Sequence, residues 1–322
     1  METIQRSESG MPAPVGARGL VPRMPRLWGR SRHQAYKRED VVMGYLFVLF
    51  PFVIFLTFSI AGMLFDFWVS FHSWNVIDTP VSVGSANYNY IFRQDPVFWT
   101  AVENTVQYSV IVVFFQTIIA FTLALIVNQN IRGRTFFRTT FYFPSVTSSV
   151  AISLLFLYLF NNLGLINYVL SDVGITGPNW LGDPAFALKS IMGLNIWTTT
   201  GTLMVIFLAA LQDVPRDTLE AAAIDGATGA QAVWRVVVPQ IRPAIFFVVA
   251  TGIIGTLQVF DQAFIMSQGS GGPENSTMTA VLYIYNMAFA NGYYGVAAAA
   301  SFTLFVVIFA ATLLIRWLLR EG

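Results

Sequence analysis

The stretch VQYSVIVVFFQTIIAFTLALIV, residues 106–127, carries no charged side chain from end to end. An α-helix rises about 1.5 Å per residue. The hydrocarbon core of a bilayer is about 30 Å thick, so roughly 20 mainly apolar residues cross it. This run meets that length. Two others, 41–65 and 139–160, do so with equally little charge. A soluble protein with an unusually apolar core is the alternative, and composition argues against it. The chain of 322 residues is 55% hydrophobic and only 11% charged, whereas soluble domains carry about 25% charged residues. Too few charges remain to coat a water-exposed globule.

Outward from these runs, the apolar pattern predicts six membrane-spanning helices, over about 41–65, 106–128, 139–160, 190–212, 243–266 and 296–316. The expected fold class is therefore an all-α polytopic membrane protein. Residues 41–322 form the six-span domain, and residues 1–40 a separate basic tail. The tail is polar and arginine-rich and reads as largely disordered, ending in a short interfacial stretch over 26–40. Its first apolar run starts late and is long enough to span, unlike the short apolar core of a cleaved signal peptide.

Lysine and arginine set the orientation. The tail holds Arg6, Arg18, Arg23, Arg26, Arg30, Arg32, Lys37 and Arg38. The loop after the second span adds Arg132, Arg134 and Arg138, and the loop after the fourth adds Arg216, Arg235 and Arg242. Arg316 and Arg320 follow the last span, leaving only Arg93 and Lys189 on the other side. By the positive-inside rule, both termini are expected in the cytoplasm of a cell bounded by this inner membrane.

Several chemistries are excluded by what is missing. There are no cysteines and two histidines, His33 and His72, so a disulfide framework, a thiol nucleophile and a histidine-rich metal site all fail. The only lysines, Lys37 and Lys189, follow Tyr and Leu, so no G-x-x-x-x-G-K-[ST] phosphate loop exists. No H-E-x-x-H motif occurs. The chain is expected to be no enzyme, to hold no cofactor or metal, and to have no nucleic-acid partner.

The loop after the fourth span, 213–240, opens DVPRDTLEAAAIDGA over residues 213–227. Asp217 and Glu220 stand in capping-box spacing just after Pro215, so a helix is expected to start there. Ala221, Ala222 and Ala223 favour helix and are small enough for close approach. Gly226 can end that helix, and a second segment, 230–238, leads to Pro239. A short small-residue helix between two spans suits docking of another protein, and it equally suits lying on the lipid surface.

Two spans carry polar groups at helical spacing. Asn195, Thr198, Thr199 and Thr202 fall on one face of the fourth span, and Thr251, Gly255 and Gln258 make a similar stripe on the fifth. Groups that must hydrogen-bond avoid lipid, so both stripes face protein or water. Interhelical packing by small polar residues and a solute cavity both fit. Asp261, the one acid inside an expected span, fits either a structural place near the outer interface or a place on a solute path.

Glu220-Ala-Ala, Gly226, Val236, Val238 and Pro239 together resemble the EAA loop of binding-protein-dependent ABC importers, with Val at two positions where that family has Ile and Leu. The resemblance extends over roughly 41–320, to the maltose-type and glycerol-phosphate-type sugar permeases. It rests on Ser73-Trp-Asn, Arg132-Gly-Arg with Phe136-Phe-Arg and Pro144, Trp180-Leu, Phe260-Asp-Gln, Gly271-Gly-Pro, Tyr283-Ile-Tyr and Gly295.

That resemblance implies a type I ABC importer permease fold and import of a sugar or sugar-like solute. It implies a second related permease, two ATPase subunits that bind the ATP and Mg²⁺, and a solute-binding protein on the outer face. It assigns Glu220, Ala221, Ala222, Asp225 and Gly226 to the ATPase-coupling helix. It places solute contacts on Asn195, Thr198, Thr199, Thr202, Thr251, Ile254, Gly255 and Gln258, and leaves Asp261 a candidate on the path. An ion-coupled secondary transporter is the competing class; it would use several acids in broken helices, and the EAA loop would then lack a purpose.

The charge distribution yields a first test. On this cysteine-free chain, a single cysteine placed in the tail or at Gly322 should resist membrane-impermeant thiol reagents in intact cells. Labelling from outside at either place would reverse the assigned orientation.

Overall fold

The structure, a computed structural model, describes residues 38–129 and 132–320. The expected tail, up to residue 37, lies outside them. The chain divides into two units, one ending at Leu56 and the other starting at Thr57. The first holds helix α1, Arg38–Ile54, whose side chains from Val42 on are exposed and mostly apolar. The second unit begins within a π-helical turn, Phe55–Ile60, followed by α2, Ala61–Val69.

Among the described residues, five helical runs are long and apolar enough to cross a membrane: Val42–Val69, Pro96–Asn128, Pro184–Gln212, Arg242–Met266 and Tyr294–Trp317. They cover five of the six expected spans, several with longer ends. The longer ends bring Asp66 and Glu103 inside spanning helices, so Asp261 is not the one acid there.

The remaining expected span, 139–160, is not a straight helix. Helix α5, Arg134–Val146, and helix α6, Ser149–Leu159, meet at 95°. Pro144 lacks an N–H and crowds the turn before it. Thr147 is extended at φ −83°, ψ 148°; its backbone N–H reaches only the Pro144 carbonyl, at 3.4 Å, while its hydroxyl donates to the Phe143 carbonyl at 3.1 Å. Consecutive hydroxyl side chains at Thr147, Ser148 and Ser149 offer the backbone other partners, which further weakens helix here.

The second unit is built around a pair of long helices, α4 (Pro96–Asn128) and α8 (Pro184–Gln212), which pack along each other. Both begin with Asp-Pro. The carboxylates of Asp95 and Asp183 accept from the backbone N–H of Val97 and Ala185, at 2.9 and 2.8 Å, while proline takes the position whose N–H would be unpaired. Helix α3 (Ala86–Arg93) precedes α4, and α5, α6 and α7 (Leu165–Asp172) follow it in the chain before α8. The loop beyond α8 holds α9 (Arg216–Ile224), α10 (Gly229–Ala232), a π-helical turn and α11 (Val238–Gln240). Helices α12 (Arg242–Leu257), α13 (Asp261–Met266), α14 (Ala280–Tyr285) and α15 (Tyr294–Arg320) complete the unit.

The apolar core comes in layers along α4 and α8. One cluster joins Ala120, Ala124 and Val127 to Leu203, Met204, Phe207 and Leu211. Another joins Tyr108 and Val112 to Leu188, Ile191 and Leu194, with Ile152 and Met266. The residues of α8 between 194 and 203 lie between these layers, and there the side chains turn polar. A third cluster, around Ile91, Phe98, Leu282 and Tyr283, ties α3 and α14 to α4 and α15. In it, the Tyr283 hydroxyl donates to the buried Asp95 carboxylate at 2.7 Å. Burial first, and then that hydrogen bond, hold the phenol above its ordinary titration range.

Gly201 sets the approach of α5 to α8. A Cβ there would run into the Phe141 carbonyl oxygen and stand 2.5 Å from Ser145 Oγ. The same contact lets the Thr202 backbone N–H donate to Ser145 Oγ at 3.1 Å. Gly201→Val should therefore force α5 away from α8 and cost about 1–3 kcal/mol, the usual penalty of overpacking. Thermal melting of the detergent-solubilised protein reads this directly; an unchanged midpoint would show that the two helices are not held at this distance.

Candidate functional site

Between the two apolar layers, α4, α5, α6, α8, α12 and α13 enclose a cavity of about 560 Å³. That falls in the ordinary range for small-molecule sites, about 300–1,000 Å³. Asn195, Thr198, Thr199 and Thr202 line it from α8, and Thr251 and Gly255 from α12. Six of the nine residues expected at the solute site or on its path, with Ile254 not among them, thus come together on one cavity.

Gln258 and Asp261 do not. Helix α12 ends at Leu257, with Gln258 as its C-cap at φ −106°, ψ 17°. The 3.6-residue period that aligned Gln258 with Thr251 and Gly255 therefore stops short, and Gln258 is exposed away from the cavity. Asp261 opens α13 and is also exposed. Gln262, its neighbour, reaches the cavity instead and donates from Nε2 to Ser149 Oγ at 3.1 Å.

Several lining residues were not expected from the polar stripes: Gln116 on α4, Ser145 and Thr147 at the end of α5, Ser149 and Ser153 on α6, and Thr256 on α12. Two signals for them stood in the sequence. Gln116 is an amide in the middle of the charge-free run 106–127, a costly placement unless it faces protein or water. Ser145, Thr147 and Ser149 follow Pro144, where a span with a helix breaker and three hydroxyls invites interruption.

The hydrogen bonds define what the cavity offers. Thr199 Oγ1 stands 2.7 Å from Gln116 Oε1 and 2.8 Å from the Asn195 carbonyl. Thr198 and Thr251 donate back to carbonyls of their own helices, at 3.1 Å to Leu194 and 2.6 Å to Phe247. Their protons are thereby used, and their lone pairs are left for a guest. Asn195, only 8% exposed, keeps Oδ1 buried without a donor. Leaving such an acceptor unpaired costs about 1–3 kcal/mol. No charged side chain is among the lining residues. The cavity is a neutral, acceptor-rich site with one acceptor in want of a donor.

At the end of the bundle, α9 carries Glu220, Ala221 and Ala222, with Asp225 as C-cap and Gly226 just beyond. Gly226 adopts φ +80°, and its N–H and that of Ala227 donate to the Ala223 and Ala222 carbonyls at 3.1 and 3.0 Å, closing the helix. A Cβ on Gly226 would meet nothing within 4 Å. The need for glycine there is conformational and not steric. The capping box expected from Asp217 and Glu220 does not form: α9 starts at Arg216 after Pro215 with no side-chain cap, so Asp217 is already inside the first turn. The box forms one helix later, where Thr228 Oγ1 accepts from Gln231 N–H and Gln231 Oε1 accepts from Thr228 N–H at 2.8 Å. Ile224, 86% exposed, and Trp234 stand out from this loop into solvent.

Comparison with known proteins places this architecture. Residues 116–321 match the family described as binding-protein-dependent transport system inner membrane component. The lactose transport system permease protein LacF of Rhizobium radiobacter is 36% identical over 80% of this chain and 87% of its own length. The trehalose/maltose transport system permease protein MalF of Thermococcus litoralis is 30% identical over 86% of this chain and 93% of its own. Among solved structures, a chain of a bacterial alginate ABC transporter, in complex with its alginate pentasaccharide-bound periplasmic protein, superposes with a TM-score of 0.75. It covers 88% of this chain and 96% of its own at 23% identity, a likeness of fold. This chain belongs to the family of binding-protein-dependent transport system inner membrane components.

The unpaired Asn195 acceptor separates packing from solute binding. Asn195→Ala removes a buried group that has no partner at Oδ1, so the empty protein should melt at or above the wild-type midpoint. Apparent affinity for transported solute should fall about tenfold, the equivalent of one lost hydrogen bond. A large loss of stability with unchanged uptake would assign Asn195 to helix packing alone.

Proposed function

We propose that this chain is the membrane subunit through which an ABC importer passes an uncharged sugar or sugar-like solute, and that the cavity on α8 is where the solute is held. The observation that carries this reading is the cavity's chemistry: hydroxyls and amides from six helices, acceptors in excess, and no charge. A polyol matches it, bringing many O–H donors and no ionic group to desolvate. Family membership and the transport systems named for LacF and MalF support the same solute class. Asn195, Thr198, Thr199, Thr202, Thr251 and Gly255 are the proposed contacts, joined by Gln116, Ser149 and Gln262.

In this reading the chain catalyses nothing itself. Two separate ATPase subunits bind ATP and Mg²⁺ and dock on the loop 213–240, a second related permease completes the membrane channel, and a solute-binding protein delivers from outside. Both termini lie in the cytoplasm of a bacterial-type inner membrane. The exposed small-residue face of α9, with Ile224 at its end, supplies the docking surface, and Glu220 and Asp225 supply charge to the partner. Closure of the ATPases then moves α9 and tilts α8 and α12, the two helices that the loop joins and that both line the cavity. An ion-coupled carrier would want acids at the binding site, and Asp261 stands outside it.

The coupling role has a sharp test. Gly226→Leu forces an L-residue into a left-handed conformation, at about 1–2 kcal/mol, and reorients everything after α9; Glu220→Lys reverses a charge at the docking face. Neither residue lies in a span, so both variants should insert normally. Both should lose solute uptake and the stimulation of ATP hydrolysis by loaded binding protein in reconstituted liposomes. Normal stimulation and uptake in both variants would leave α9 as a surface helix and refute the coupling assignment.

A further inference from the structure

At the end of the bundle that carries α9, two arginines of α5 converge on one neutral oxygen. Arg134 and Arg138 are a helical turn apart, so they share a face. With its amide turned to accept, Gln212 at the end of α8 presents its oxygen 3.0 Å from Arg134 Nη2 and 3.0 Å from Arg138 Nη2. The two guanidinium groups are therefore no further apart than twice that distance at these atoms. Like charges so placed repel, and both are half-buried. Their Nε atoms are out of solvent without any acceptor. No acidic residue stands in the first turn of α5, and among the described residues no carboxylate forms an ion pair with either arginine.

A single amide oxygen is a poor answer to two partly desolvated cations. It satisfies one donor of each five-donor fork and neutralises no charge. What the arrangement lacks is an anion with several oxygens, able to take the outer edges of both forks at once. A phosphate group fits that demand better than a single carboxylate, because it offers oxygens in more than one direction. The same helix says where that phosphate comes from. Phe136 and Phe143, two turns apart on α5, are 69% and 66% exposed, and Tyr142 and Phe137 are exposed beside them. Tyrosine beside arginines at the end of a membrane helix pattern suits the headgroup level of a bilayer, and exposed phenylalanines suit the acyl chains next to it.

We infer that Arg134, Arg138 and Gln212 form a binding site for the phosphate of an anionic phospholipid, with Phe136 and Phe143 lying along its acyl chains. The bound headgroup supplies the counter-charge that clamps the start of α5 to the end of α8. The site lies apart from the solute cavity, and its existence does not depend on which solute is carried.

The test uses the full-length chain in its assembled transporter, in nanodiscs of phosphatidylcholine alone or with phosphatidylglycerol. Wild-type protein should retain phosphatidylglycerol through native mass spectrometry and melt higher when that lipid is present. Arg134→Gln with Arg138→Gln should reduce the retained lipid by roughly thirtyfold, the sum expected from two basic residues at an anionic surface. Gln212→Glu keeps both arginines and places a carboxylate between them. That variant should fold, melt higher in phosphatidylcholine than wild type, and lose the response to phosphatidylglycerol; it decides the matter where the double variant does not insert. Inorganic phosphate added to phosphatidylcholine discs should not reproduce the effect of the lipid. Equal retention of phosphatidylglycerol by wild type and Gln212→Glu overturns the proposal. So does an equal gain from inorganic phosphate, which would make the site one for a free anion.

Discussion

A helix in hydrocarbon cannot leave a backbone amide or carbonyl without a partner, and the cost of doing so is several kcal/mol per group. A spanning helix can therefore stop only where protein or water takes over its hydrogen bonds. This bundle stops twice within its spans. Helix α5 gives out at Thr147, and α12 gives out at Gln258. The helices that resume, α6 and α13, pack on each other and are pinned by the bond from Gln262 to Ser149. The first interruption lines the cavity through Thr147, and Gln262, just beyond the second, reaches the same cavity beside the polar stretch of α8. The cavity's polarity follows from the same constraint, since broken backbone inside a span is stable only beside groups that can hydrogen-bond.

That origin explains which parts were readable from residues alone. Apolar runs are long-range, redundant signals, and the span pattern emerged because each run exceeds the bilayer thickness with few charges. The stripe on α8 was readable because the helix is unbroken from Pro184 to Gln212, so the 3.6-residue period holds across Asn195, Thr198, Thr199 and Thr202. The same period misled on the fifth span. It carried Gln258 onto the cavity face, whereas the helix ends one residue earlier and the chain turns. The 95° bend was harder to see, because proline within a membrane helix is often absorbed as a mild kink. Only the hydroxyls on both sides of the break distinguish it.

The loop 213–240 shows the limit of local pattern in another way. Asp217 and Glu220 satisfy the capping-box spacing as well as Thr228 and Gln231 do. The difference is Pro215, which stands as the N-cap residue and starts α9 at Arg216, two residues too early for Asp217 to cap. Asp217 is left as an acid in the first turn, where it still favours the helix dipole. The true box then caps α10, just after the left-handed turn at Gly226. Both helix ends at the elbow are closed by specific hydrogen bonds, so the segment between the spans is a stiff, shaped body and not a slack tether.

Gly201 carries a consequence for redesign. Because the backbone of α8 at Gly201 meets the backbone of α5 and the Ser145 side chain, with no room for a methyl group, the separation of these two walls is fixed by close contact and does not adapt to a guest. Any change in the size of molecule the cavity admits must come from trimming or enlarging side chains that project into it, such as Thr202 or Thr251, with the frame left untouched. A library built on those positions with residue 201 held constant samples shape at constant scaffold, whereas one that varies residue 201 mainly samples misfolding.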